Sequence, residues 1–595
     1  MIRPLLLLTL LATSIRADNL HRHDSRRWER SSEAVLHTDL AKVEPASAVI
    51  TGKRQKGKWK AIPFSTAEFS GTALSIYSAT NPEPVSLDLP ERGPHAIYLG
   101  LATTSGGFTI GGNGLKAKLS DEPVFKRLAN HLPLLADRRA VIEDCYLTAA
   151  NLNGQSLEIA PLHGLPANLC YVRVVPLSEA ELAEAFAPSD QRKAIATFDG
   201  HSWIWPFRPV TGAQLAEEFR GFETSDFGKW WFQVTGADLV NYPSEAGTYP
   251  GQGTVDFPTD AYAAYTESLE TLFSAGVNPL QLARDEARKQ GAEFHVILRP
   301  AGWVGSMPYE ETFNSRFFYE HPEWRCLDKD GTPTFYLSYA IPEVRAQVLR
   351  IIKETLACQP DGVGFTFNRG MPMMLWEEAF CERFKAMHGA NAKTVDDDDP
   401  RVHATRAEIM TGFLHEVRAL LDETARAQGR EEPYQISLGT FSTEADNRRW
   451  GIDLENWILA GLVDDIAVAW FAYHTSFTKT PGRIDLDYYK RITNGTTTEW
   501  HPMMIAWKTG KPKEFCAKAA AYLAAGADGI AVWDPQVHKG WSDNSPGRAF
   551  DTIARLGHRE ELERWAKEGV PPPFSIPLTR LDENYFSRWF PNTGF

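Results

Sequence analysis

The chain has 595 residues, 43% of them hydrophobic and 23% charged, with a formal net charge of −14 at pH 7. That length predicts more than one domain, each with a sizeable core. The acidic balance, without a long basic block, argues against nucleic acid, because phosphate binding needs a concentrated positive surface.

At the N-terminus, Arg3, the run Leu5–Leu11 broken only by Thr9, and the small residues Ala12, Ser14 and Ala17 read as a secretory signal over 1–17. The run is too short for a mature membrane anchor, and no other run of about 18 apolar residues follows. A secreted or periplasmic protein without a membrane span is expected. The six cysteines (145, 170, 326, 358, 381 and 516) form no CxxC pair, so neither a disulfide framework nor a structural zinc site is expected. Cys145 and Cys170 share one β-rich region and could pair in an oxidising compartment.

From 34 to 178 short strands such as PVSLDL, HAIYLGLA, QSLEIA and CYVRVVPL alternate with turn signals. This texture predicts a β-sandwich accessory domain. The glycine-rich stretch SGGFTIGGNGL lacks the strand-to-helix setting of a phosphate loop and reads as a sandwich loop.

Beyond SEAELAEAFA the pattern becomes strands alternating with helices, over 190–560. The strands are KAIATFDG (193–200), KWWFQVTG (229–236), EFHVILRP (293–300), DGVGFTFNRG (361–370), YQISLGT (434–440), DIAVAWFAYH (465–474), HPMMIAW (501–507) and DGIAVWD (528–534). Helical periodicity between them, as in Ile409, Phe413, Val417 and Leu420 or Leu421, completes eight strand–helix units. The expected class is α/β, a (β/α)₈ barrel preceded by the sandwich, with a doubly wound open sheet as the structural rival. The Pro-rich tail, 561–595, is expected to pack on the barrel exterior.

In such a barrel the chemistry belongs at the C-terminal ends of the strands. Those ends carry Asp199 and His201, Asp238, Arg299, Asn368 and Arg369 with Glu377 beyond them, Glu444 and Asn447, His474, Lys508, and Asp534 with His538. Trp203, Trp205, Trp303, Trp376, Trp507, Trp533 and Trp541 lie at the same exits. Indole faces stack on sugar rings while acids, amides and guanidiniums bond hydroxyls, so the mouth points to a carbohydrate. About half of these tryptophans are expected to plug or brace the barrel top instead. No HExxH, GxSxG, Walker-type loop or dinucleotide fingerprint is present, and no metal or cofactor is expected. The Asp396–Asp399 run reads as a solvated loop.

The segment HPEWRCLDKDGTPTFYLSYAIPEVRAQVLRIIKETLACQPDGVGFTFNR resembles bacterial family-10-like glycosyl-hydrolase proteins. So do GIDLENWILAGLVDDIAV and AAGADGIAVWD. The likeness spans roughly 193–555 and implies a (β/α)₈ catalytic domain acting on glycans. Members of that family commonly carry Asp where this chain has Thr366, which cannot ionise as a glycosidic carboxylate. An enzyme here must draw its carboxyl pair from other exits. The candidates are Glu377 first, then Asp534, Asp199 and Glu444. Asn368, Arg369, His201, Trp203, Arg299, Trp303, His474, Lys508 and Trp533 are the candidate substrate-binding residues. Arg369 would suit a sulfate or carboxylate on the sugar. The alternatives are a glycan-binding barrel that has lost catalysis, and a metal-assisted hydrolase built on His201, His474, His538 and an acid.

Overall fold

The computed structural model describes residues 33–77, 82–102, 114–129, 140–162, 166–204, 208–234, 236–301, 308–469, 483–505, 512–535, 550–570 and 574–585. The expected signal segment lies outside them. No helix among the described residues is long and apolar enough to cross a membrane.

Eight parallel strands close into a barrel: β1 (Ala194–Phe198), β2 (Phe227–Gln233), β3 (Glu293–Leu298), β4 (Gly362–Thr366), β5 (Gln435–Phe441), β6 (Asp465–Ala469), β7 (Glu499–Met504) and β8 (Ala531–Trp533). Closure is made by β8 pairing with β1, Ala531 opposite Ile195 and Trp533 opposite Thr197. The open-sheet alternative is thereby excluded.

Alternation along the strands builds two cores. Ala194, Ala196 and Phe198 of β1, and Val363 and Phe365 of β4, turn outward into the layer shared with the helices. Ile195, Trp231, Ile297, Ala467, Met503, Ala531 and Trp533 form a separate cluster inside the barrel. Opposite these bulky side chains, β4 and β5 stay small. A Cβ on Gly362 would sit 2.7 Å from the His295 ring, and one on Gly439 would sit 2.9 Å from the Thr366 methyl. Thr366 therefore stands in the crowded barrel interior, fully buried.

The long helix Pro400–Ala427 starts on Asp399, whose side chain accepts from the Arg401 N–H, with Pro400 at its first position. Phe413, Val417 and Leu421 face the core as the periodicity predicts, with Ile409 and Leu420 at its margin. Within the acidic run, Asp397 pairs with Lys329 and Asp398 with Arg449.

The motifs behind the family resemblance turn out to be scaffolding. The Asp-Gly segment is the turn of a hairpin between Arg325–Leu327 and Pro333–Leu337, with Gly331 at φ 90°. Pro342 opens the helix Pro342–Thr355.

The N-terminal region supplies seven strands of a nine-stranded sheet and all of a four-stranded one; the other two strands come from the C-terminal tail. Both sheets feed one apolar cluster, Leu74, Ile97 and Leu99 from the larger sheet meeting Leu87, Leu115 and Leu157 from the smaller. Cys145 lies in this cluster and Cys170 in a neighbouring one, and both are free thiols.

The tail meets its expectation in part: the helix Arg559–Glu568 packs on the barrel through Leu562 and Trp565, but strand Ser575–Leu581 joins the larger of the two outer sheets instead. Its first half pairs with Val141–Glu143 and its second half with Phe64–Thr66, so it bridges two strands of that sheet. The reason is apolar: Leu578 and Leu581 pack with Ile62, Phe64, Ile142 and Tyr171.

Candidate active site at the barrel mouth

Where β8 meets β1, the two strand exits are tied by a side chain. The Asp199 N–H donates to the Asp534 carboxylate at 2.8 Å, and the Ser202 hydroxyl donates to the same oxygen. Asp534 holds a left-handed backbone, φ 54°, a conformation Asp tolerates better than most residues and one that aims its side chain back across the mouth.

Two guanidiniums converge on the Asp199 side chain. Arg299, just past β3, pairs closely with one oxygen, and Arg369, just past β4, lies 3.7 Å from the other. Gln233 at the end of β2 accepts from Arg299 Nε at 3.2 Å. Asn241 donates to the carbonyls of Gly200 and Gln233, 3.0 Å each, which ties the β1 and β2 exits together. Arg369 also stands 5.2 Å above the Trp533 ring. The Asp199 side chain keeps 14% of its surface exposed and Arg369 keeps 22%, so both are within reach from outside.

Burial alone would raise the Asp199 carboxyl. The Arg299 and Arg369 charges, with His201, outweigh it and hold this acid below the ordinary carboxylate range. Asp199 is therefore ionised at neutral pH. The reverse holds for His201, which burial pushes down to about 4 against the pull of Asp199. Its neutral ring shares a 3.1 Å hydrogen bond with the Tyr265 hydroxyl.

The structure thus gathers Asp199, His201, Arg299, Arg369, Trp533 and Asp534 at one mouth. Asn368 is buried beside them against Gly439 of β5. Trp303, His474 and Lys508 fall outside the described residues, as do Trp205, Trp507, His538 and Trp541.

Other candidates go elsewhere. Glu377 is buried at the start of the helix Glu378–His388, where its carboxylate accepts from the Ser338 hydroxyl and, at 3.0 Å, from the Leu375 N–H. Burial raises its pKa, the property a general acid needs, yet its partners are Ser338 of the β3–β4 insertion and the neighbouring Leu375 N–H, not the Asp199 cluster. The segment 371–376 explains the displacement. It runs alongside the insertion, with Tyr339 donating to Met373 O and Trp376 donating to Leu327 O.

Glu444 opens a surface helix and pairs with Arg448 at 2.8 Å and Arg491 at 3.5 Å. Trp203 has no exposed surface and packs against Phe232 in the outer core, so it braces the barrel. Trp376 is likewise buried, under Lys329. Asp238 bonds Ser315 and Gln347 inside the scaffold.

Sequence reading passed over Ser202, Gln233 and Asn241. For Gln233 the signal was present: it shares the parity of Trp231, which points into the barrel. Among the described residues no group of three or more His, Cys, Asp or Glu is arranged to hold a metal ion.

No family model matches the chain, and no curated protein matches it. Solved structures do. The catalytic domain of a β-amylase from Paenibacillus polymyxa is 11% identical, with a TM-score of 0.37, over 63% of this chain and 100% of that one. The PgaB (BpsB) glycoside hydrolase domain from Bordetella bronchiseptica is 13% identical, with a TM-score of 0.37, over 62% and 97%. An α-galactosidase from Thermus thermophilus is 10% identical, with a TM-score of 0.31, over 87% and 98%.

Proposed function

We propose that this chain is a glycoside hydrolase, exported from the cell, that cleaves an oligosaccharide or polysaccharide with a carboxyl pair at the barrel mouth. One observation carries the proposal. An ionised carboxylate, Asp199, is clamped by two arginines and stands one hydrogen bond from a second carboxyl residue, Asp534, beside the Trp533 ring. Glycoside hydrolysis uses two such groups, one ionised and one able to give a proton to the leaving oxygen. Asp199 takes the ionised role, as base or nucleophile, because the arginines stabilise its charge. Asp534 supplies the second carboxyl group of the pair. Thr366 leaves β4 without a carboxyl, so β1 and β8 supply the pair. Arg369, Asn368 and Trp533 bind and orient the sugar, and the N-terminal sheets serve as an accessory domain.

A second reading has its own support. Arg299 closes directly on Asp199, and Thr366 stands where a related enzyme would place an acid; both suit a barrel that binds glycan without cutting it. Screening the whole chain against plant, algal and bacterial polysaccharides, with new reducing ends and calorimetric binding read in parallel, separates the two. Binding with release of reducing ends supports the hydrolase, and binding without it supports the second reading.

A further inference from the structure

Gln233 is the last residue of β2 and has no exposed surface. It shares the inward parity of Trp231 and stands opposite Ile297 of β3 in the strand register. Its carbonyl accepts from Asn241 at 3.0 Å, and the Val234 N–H just beyond it donates to Ile297 O at 2.9 Å. The backbone that carries this side chain is thereby tied on both sides.

Packing alone does not account for an amide here. Trp231 and Ile297 belong to the apolar cluster inside the barrel, and a residue serving only that cluster would be apolar. The Gln233 Nε2 has no partner among the described residues, and burying an N–H unpaired costs free energy. The oxygen has one: Oε1 accepts from Arg299 Nε at 3.2 Å. A guanidinium offers donors only, so the oxygen and not the amide nitrogen must face it.

Arg299 is thus held at two points, Nε on Gln233 and Nη2 on the Asp199 carboxylate. A guanidinium pinned at two nitrogens is oriented as well as placed. Arg369, the second cation at Asp199, stands off at 3.7 Å. Against burial, which raises the Asp199 carboxyl, Arg299 lowers it more than Arg369 does. The other titratable groups around Asp199 are His201, Asp534 and Tyr265, and none of them bonds Gln233.

We propose that Gln233 is a positioning residue: it fixes the Arg299 guanidinium on the Asp199 carboxylate, and so readies Asp199 for reaction without touching the glycan. The proposal rests on the reading of Asp199 as the ionised carboxylate of the mouth. Its test compares Gln233→Met, which keeps the length and removes the acceptor, with Ile297→Val, a packing change on the opposing strand. Gln233→Leu is the second variant and is expected to match Gln233→Met. The measurements are kcat and KM against pH on the best glycan from the polysaccharide screen.

In Gln233→Met the acid limb of kcat/KM is expected to move up by about one pH unit, because Asp199 loses part of the charge that keeps it ionised. At the plateau kcat falls about tenfold while KM stays within about twofold. Ile297→Val leaves the limb in place, and Gln233→Met moves it no further in an Arg299→Lys background. An unmoved limb in folded Gln233→Met protein overturns the proposal. So does an equal shift in Ile297→Val, a further shift in the Arg299→Lys background, or a raised KM with unchanged kcat.

If no glycan is cleaved, the hydrolase reading fails, and the positioning role is measured without substrate. Urea titrations between about pH 2 and 6 are run on wild type, Asp199→Asn, Gln233→Met and the double variant. With its carboxyl lowered, Asp199 contributes stability above its ordinary value of 3.8 that is lost as pH falls. That Asp199-dependent loss should be smaller in the Gln233→Met background. An equal loss in both backgrounds overturns the role.

Discussion

The backbone N–H of Asp199 donates to the carboxylate of Asp534, residues at opposite ends of the barrel sequence. That single 2.8 Å bond sits where β8 closes on β1, so closure of the fold and assembly of the site are one event. A carboxyl residue placed this way is fixed by the barrel and not by a loop, which is what positioning for chemistry requires.

Glu377→Gln is expected to cost stability and not turnover. The buried carboxylate bonds Ser338 and the Leu375 N–H and offsets the buried Arg406 charge. Weakening those contacts should cost about 1–3 kcal/mol, read as a lower Tm. Turnover should stay within about threefold, whereas removing a true general acid costs about 10²–10⁴-fold. A collapse of turnover with an unchanged Tm would return Glu377 to the reaction.

Thr366→Val should be nearly silent in activity. The hydroxyl makes one long contact, 3.4 Å to Leu298 O, and Val keeps the shape in the tight space beside Gly439. Kinetics on any cleaved glycan should change less than about fivefold, below the range of positioned acid–base groups. A hundredfold loss would make Thr366 part of the chemistry.

How far the site could be read from sequence depended on distance along the chain. Asp199, Arg299, Arg369 and Asp534 stand within two or three residues of a strand end, and the strand itself dictates where they emerge. Glu377 stands eight residues past Arg369, and the segment between them turns away along the β3–β4 insertion. Nearness in sequence to an exit therefore did not fix nearness to the mouth. The eight strands were legible because each carries buried apolar residues at alternate positions, bounded by turn signals. The tail was not, because pairing of Ser575–Leu581 with strands more than 400 residues earlier leaves no local periodicity.

That pairing makes a prediction for fragments. A fragment of residues 185–595 retains the tail strand but removes both strands that cover it. It should aggregate through the exposed edge and the apolar side chains of Leu578 and Leu581. Ending the same fragment at residue 570 should restore solubility, as judged by size-exclusion chromatography. A monodisperse 185–595 fragment would show that the tail strand needs no partner.

At the opposite end of the barrel, Glu293 links Lys229 at 3.2 Å and His295 at 3.6 Å. The His295 contact first, with Lys229 adding to it, lowers this carboxyl from 4.5 to about 2 against the effect of burial. A folded-state pKa below the unfolded one means the unfolded chain binds more protons between them. Stability from this group is thus present above about pH 4.5 and lost as pH falls towards 2. Glu293→Gln should flatten that loss relative to the wild type in urea titrations across this window. Parallel curves for the two proteins would show that Glu293 is not depressed.

The central claim is that Asp199 is the ionised carboxylate of a glycan-cleaving site, and Asp199→Asn tests it most directly. The measurement is release of reducing ends from the best glycan in the screen, by wild type and variant, alongside calorimetric binding and Tm. The account predicts that turnover falls at least about 10²-fold while the variant stays folded and still binds the glycan. Turnover within a few-fold of wild type in a folded, glycan-binding Asp199→Asn protein would contradict it.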